Sequence, residues 1–125
     1  MPKIYLLLGV SLLAAGIIIG LTSGPEVGYY QTGIASWYGP NFQGKTTANG
    51  EVFDMNKLTA AHKTLPFNTR VKVIDLSSGN QVVVRINDRG PFIKDRIIDL
   101  SRRAAEKLKI IDSGTAKVGL KILEW

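Results

Sequence analysis

TRVKVIDLSSGNQVVVRIND (69–88) reads as two strands joined by a turn. In TRVKVID (69–75) valines alternate with charged residues. In QVVVRIND (81–88) Val82, Val84 and Ile86 share one face while Val83, Arg85 and Asn87 share the other, the period of a half-buried strand. Ser78-Gly79-Asn80 supplies the turn that makes the pair a hairpin. Asp88 is the next position on the apolar face, where Arg89-Gly90-Pro91 breaks the strand. A carboxylate at the mouth of an apolar core is costly to ionise and tends to hold its proton. The alternative is a turn aspartate that hydrogen-bonds the Arg-Gly-Pro backbone.

Outward from the hairpin, GIASWYG (33–39) predicts a first strand. In KTTANGEVF (45–53), Asn49-Gly50 predicts a tight turn leading into a strand at Glu51-Val52-Phe53. NKLTAAHKTLP (56–66) fits either a helical turn or a short strand and stops at Pro66. RIIDL (96–100) is a further strand. Ser101 then caps a short helix whose inward stripe is Ala104, Ala105 and Leu108, and AKVGLKILEW (116–125) closes the set. Many short strands with one or two small helices predict a mainly β fold, a small closed barrel whose closure removes exposed strand edges. The barrel domain is expected over 33–125, behind a linker at 22–32.

The chain opens on an uncharged apolar run of 18 residues, Ile4–Leu21, at the boundary between a signal-peptide core and a spanning helix. Good cleavage residues are lacking and Pro25 discourages cutting after Gly24, so 1–21 reads as a membrane anchor in preference to a cleaved signal peptide. Either reading exports the domain, to the periplasm or the outer face of the cytoplasmic membrane. The absence of cysteine excludes disulfides, thiol nucleophiles and lipidation. A single histidine, His62, excludes HExxH metal motifs, and no GxSxG elbow occurs. The net charge of +6 suits anionic partners such as wall polymers or membrane surfaces, and the export segment argues against nucleic acid.

ASWYG (35–39), TANGE (47–51), TAAHKTLP (59–66), NDRGPF (87–92) and RIIDLS (96–101) follow one another in the order and approximate spacing of the rare lipoprotein A (RlpA-like) family, which the chain closely resembles. The resemblance implies a six-stranded double-psi β-barrel, shared with expansins. It also implies an endolytic peptidoglycan transglycosylase that favours glycan strands stripped of stem peptides and needs no metal or organic cofactor. The family's lipobox cysteine is absent, as is the C-terminal SPOR domain of many members, which places septal targeting in doubt. Divisome or wall-synthesis partners have no support in the sequence.

Asp88 matches the family's catalytic aspartate. Cleaving a MurNAc–GlcNAc bond without water needs a group that protonates the leaving oxygen and deprotonates the C6 hydroxyl as a 1,6-anhydro ring closes. The expectation is that Asp88 does both. Arg89 would oppose a protonated Asp88 if its guanidinium turned inward, but strand neighbours point to opposite faces. Glu51 matches the second essential carboxylate and would stabilise the oxocarbenium-like transition state or position the sugar. The resemblance places His62 in the cleft, against the alternative of a satisfied core histidine. Trp37 and Tyr38 alternate faces, so one belongs to the core and the other could stack on a sugar ring. Asn49 and Arg89, beside the two carboxylates, and Asp99, which matches an aspartate that expansins need, complete the expected substrate-binding set. The rival reading of the same residues is a non-catalytic, expansin-like module that binds and loosens wall polysaccharide.

Overall fold

A computed structural model describes residues 28–125, and the expected anchor or signal segment and the linker up to residue 27 lie outside the described residues. Six strands, β1 (Gln31–Trp37), β2 (Thr59–Ala61), β3 (Arg70–Asp75), β4 (Gln81–Asp88), β5 (Arg96–Leu100) and β6 (Ala116–Glu124), close into a barrel in the order β1-β5-β2-β4-β3-β6. The alternating valines of 69–88 form the antiparallel pair β3–β4, with Val71 opposite Val84 and Val73 opposite Val82, and all four point inward. Gly79 turns the chain between them at a φ of 81°, a conformation that costs any residue with a Cβ. Ile86, Ile98, Leu100, Val118 and Leu120 fill the rest of the interior, each burial contributing about 1.5–3 kcal/mol against exposure.

Among the described residues one α-helix, α1 (Arg102–Leu108), packs Ala104, Ala105 and Leu108 against the barrel; Ser101 caps it by accepting from the Ala104 amide at 3.2 Å. A 3-10 turn spans Pro40–Phe42. Three details differ from expectation. β1 begins at Gln31, inside the expected linker, because Gln31 and Thr32 pair through their backbones with Leu120 and Gly119, which requires no side-chain pattern. The segment 51–53 is no strand; it makes one bridge, Thr46 to Val52. The ambiguous 56–66 segment yields a three-residue strand, β2.

The parallel pairs position the site. In both β1–β5 and β2–β4 the later strand carries one extra residue. Ile34 faces Arg96 but Ala35 faces Ile98, and Ala60 faces Ile86 but Ala61 faces Asp88. Ile97 and Asn87 are therefore bulged, and each bulge reverses the inside–outside alternation that follows it. Gly33 makes room for the first bulge, since a Cβ there would lie 2.7 Å from Ile97 Cγ2. The second bulge corrects the reading of β4. Asp88 does not share the inner face of Ile86; it emerges with Ala61 on the outer face, and Asn87 is buried instead.

Candidate active site

The outer face of β1-β5-β2-β4 carries, in cross-strand order, Ser36, Asp99, Ala61 and Asp88. Ser36 is in register with Asp99, Asp99 with Ala61, and Ala61 with Asp88. Tyr38, one residue beyond β1, reaches across this face and donates its hydroxyl to Asp88 Oδ2 at 2.7 Å. Its ring stacks on Phe42 (5.1 Å) and meets Phe53 edge-on (4.7 Å), forming with Ala61 a small apolar cluster outside the barrel. Burial, reinforced by the hydrogen bond to Asp88, pushes the Tyr38 phenol far above its usual range, so it remains a proton donor. Trp37, on the opposite face, packs on the main core. Of the two aromatics, Trp37 thus belongs to the core and Tyr38 to the carboxylate cluster.

Asp88 Oδ1 accepts from the amides of Ala48 (2.8 Å) and Arg89 (2.9 Å). The first of these ties Asp88 to the turn 47–50, closed by Gly50 N to Thr47 O at 3.0 Å. Asn49 organises this turn: its Oδ1 accepts from Thr47 Oγ1 (2.6 Å) and Glu51 N (3.0 Å), while its Nδ2 donates to Glu51 Oε2 (2.8 Å). Glu51 is held from the barrel side by a bidentate fork from Arg85 on β4, Nη1 to Oε2 at 2.6 Å and Nη2 to Oε1 at 3.0 Å, with Asn87 Nδ2 at 3.2 Å from Oε1. These hydrogen bonds, Arg85 first and then Asn49, lower the Glu51 pKa to about 2, so it is an anion at any ordinary pH and holds no proton to give. Asp88 and Glu51 are two ends of one network, joined through residues 48–51.

Asp99 accepts the Ser36 hydroxyl on Oδ1. Burial raises its pKa and the charge of Asp88 adds to this, while the Ser36 hydrogen bond and Arg96 pull the other way. The structure thus unites Asp88, Tyr38 and Asp99 on one wall, with Asn49 and Glu51 beside it.

Two expected substrate-binding residues are committed elsewhere. His62 is 2% exposed; its Nδ1 accepts from the amides of Thr64 and Leu65, both at 3.1 Å, which places the ring proton on Nε2, 2.8 Å from Gln31 Oε1. Burial first, then the charges of Arg89 and Lys63, lower its pKa to about 4, so it is a neutral ring that caps a turn. Expected in the cleft, it is a satisfied core histidine. Arg89 turns towards that same turn. Its Nη1 donates to the carbonyls of His62 (3.2 Å) and Leu65 (2.8 Å), and its guanidinium lies 4.0 Å from the Phe67 ring centroid. Both residues act on the site indirectly, since His62 N also donates to the Asp88 carbonyl at 3.1 Å. Conversely, Arg85, Asn87 and Ser36 join this hydrogen-bond network beside the residues that the sequence motifs point to. Ser36 lay within ASWYG, whereas nothing in the spacing marks Arg85 as the partner of Glu51.

The chain is a closed double-psi barrel with carboxyl groups fixed on the outer wall of its two parallel strand pairs. The chain belongs to the lytic transglycolase family, whose model matches residues 30–120. It is 59% identical over 97 residues to the endolytic peptidoglycan transglycosylase RlpA of Campylobacter jejuni, covering 78% of this chain and 35% of that protein. It is 62% identical over 92 residues to the probable endolytic peptidoglycan transglycosylase RlpA of Synechocystis, covering 74% and 29%. The chain thus spans about a third of the length of these relatives. The fold is shared with the Streptomyces papain inhibitor (TM-score 0.61, 23% identity, 78% of this chain and 98% of that one). It is shared too with an expansin of Clavibacter michiganensis (TM-score 0.58, 19% identity, 74% and 50%).

Proposed function

We propose that this chain is an exported peptidoglycan lytic transglycosylase. It cleaves the β-1,4 bond between MurNAc and GlcNAc in glycan strands, preferring strands without stem peptides, and leaves 1,6-anhydro-MurNAc ends. The supporting observation is the network that fixes Asp88 and Glu51 on one outer wall through the turn 47–50. Asp88 takes the proton of the C6 hydroxyl as O6 closes on C1. In the same step the C1–O4 bond breaks and the departing O4 takes up a proton from the site, so no water is consumed. Glu51, an anion locked by Arg85, contributes a fixed negative field near the positive charge that develops on the sugar ring. The surplus of cationic side chains favours approach to an anionic wall polymer.

Incubating the protein with peptide-free glycan strands should release anhydro-ended fragments, read by mass spectrometry. Binding without cleavage, the behaviour of an expansin-like module, would overturn the reading. In this proposal residues 1–21 tether the domain to the outer face of the cytoplasmic membrane. The isolated protein should then keep its original N-terminus, and a start between Thr22 and Thr32 would show that the segment is removed.

A further inference from the structure

We propose that Asp99 is the second reacting carboxyl of this site, delivering a proton to the departing O4 of GlcNAc while Asp88 accepts the proton of the MurNAc C6 hydroxyl. The inference rests on the transglycosylase reading and divides between two residues the task that the family resemblance assigns to Asp88 alone.

Asp88 and Asp99 flank the same residue, Ala61, from the strands on either side of β2, so their Cα atoms stand two strand spacings apart, about 10 Å. Ala61 between them is buried in the cluster with Tyr38 and Phe53, so no other polar side chain stands between the two carboxyls in this cross-strand row. The bulges at Asn87 and Ile97 put both carboxyls on the outer face, where a glycan can lie across them. The chemistry needs two proton movements at atoms a few ångströms apart, O4 and O6 of adjoining sugars, and two carboxyls on one wall can serve both at once.

The two groups are also held differently. Asp88 is an acceptor for three donors, Tyr38 Oη, Ala48 N and Arg89 N. Asp99 has the Ser36 hydroxyl on Oδ1, so a proton carried by this carboxyl sits on Oδ2. Its burial and its proximity to Asp88 favour the protonated form; Tyr38, the other titratable group facing this pair, is a neutral phenol, and Arg96 opposes the effect. In the step itself the C1–O4 bond breaks as O4 takes the Asp99 proton, and the C1–O6 bond forms as Asp88 takes the O6 proton. Transfer of that proton back to Asp99 restores the site, with no water or other reactant consumed.

Ser36 is a positioning residue in this scheme. Its hydroxyl favours the Asp99 carboxylate, so Ser36→Ala should raise the Asp99 pKa and move the alkaline fall of turnover to higher pH. A role in packing alone would not shift that limb. Asp99→Asn retains an acceptor for Ser36, and should cut turnover on peptide-free glycan at least about thirtyfold with KM nearly unchanged. Asp99→Asn within threefold of wild type, or a Ser36→Ala alkaline limb that stays in place, would overturn the proposal. A wild-type protein that yields no anhydro ends in the same assay would instead remove the transglycosylase reading beneath it.

Discussion

Asp88→Asn should lower turnover on glycan strands by about 10³-fold, within the range for loss of general acid–base help, while binding of intact glycan survives. The amide keeps the shape and cannot take the O6 proton. Its effect on stability follows from which atom each donor uses. Both backbone amides, Ala48 and Arg89, point at Oδ1, so an asparagine with its oxygen there satisfies both. Tyr38, facing Oδ2, can rotate its hydroxyl to accept from the new NH₂. The melting temperature of Asp88→Asn should therefore stay within a few degrees of wild type. Asp88→Ala should be different. It strands two backbone donors and a phenol, at a cost of about 2 kcal/mol or more. Anhydro-end production under single turnover, glycan co-sedimentation and thermal melts together check the claim. An Asp88→Asn protein that cleaves at the wild-type rate would leave Asp88 as an acceptor for the turn and nothing more.

Glu51→Gln should cost about 10²-fold in turnover, through both field and position. The amide removes the negative charge and places an NH₂ where Arg85 and Asn87 already donate, so the fork from β4 loses one of its two acceptors. The turn 47–50 is then held less firmly, and with it the Ala48 amide that orients Asp88. The same substitution has a pH signature. The Glu51 pKa is depressed from 4.5 to about 2 in the folded protein, so its contribution to stability is present above about pH 4.5 and is lost as pH falls towards 2. Glu51→Gln should melt a few degrees below wild type at pH 7, a modest deficit because solvent reaches this pair. The gap should be much smaller at pH 2.5 and should close only below about pH 2. A gap of equal size at both pH values would mean that the ion pair is not what Glu51 supplies.

Most strands and the helix were legible in the sequence because their signals are local. Alternating valines mark β3 and β4, Gly79 marks their turn, and Ser101 with Ala104, Ala105 and Leu108 marks α1. Five short motifs also carried the family and most of the residues that meet at the site. What the sequence left open was decided by pairing between segments far apart in the chain. Strict period-2 reading put Asp88 on the core face; a parallel partner strand that accommodates one extra residue at Asn87 put it outside. Glu51 meets Arg85 across 34 residues and Ser36 meets Asp99 across 63, contacts that no local periodicity encodes. His62 could have lined a cleft or capped a turn, and only the packing of 62–65 against Gln31 and Arg89 chose the turn. The sequence by itself determined which elements form and which side chains are available for chemistry. The tertiary structure alone decided which of them face one another, because register and bulges depend on strands that meet only when the barrel closes.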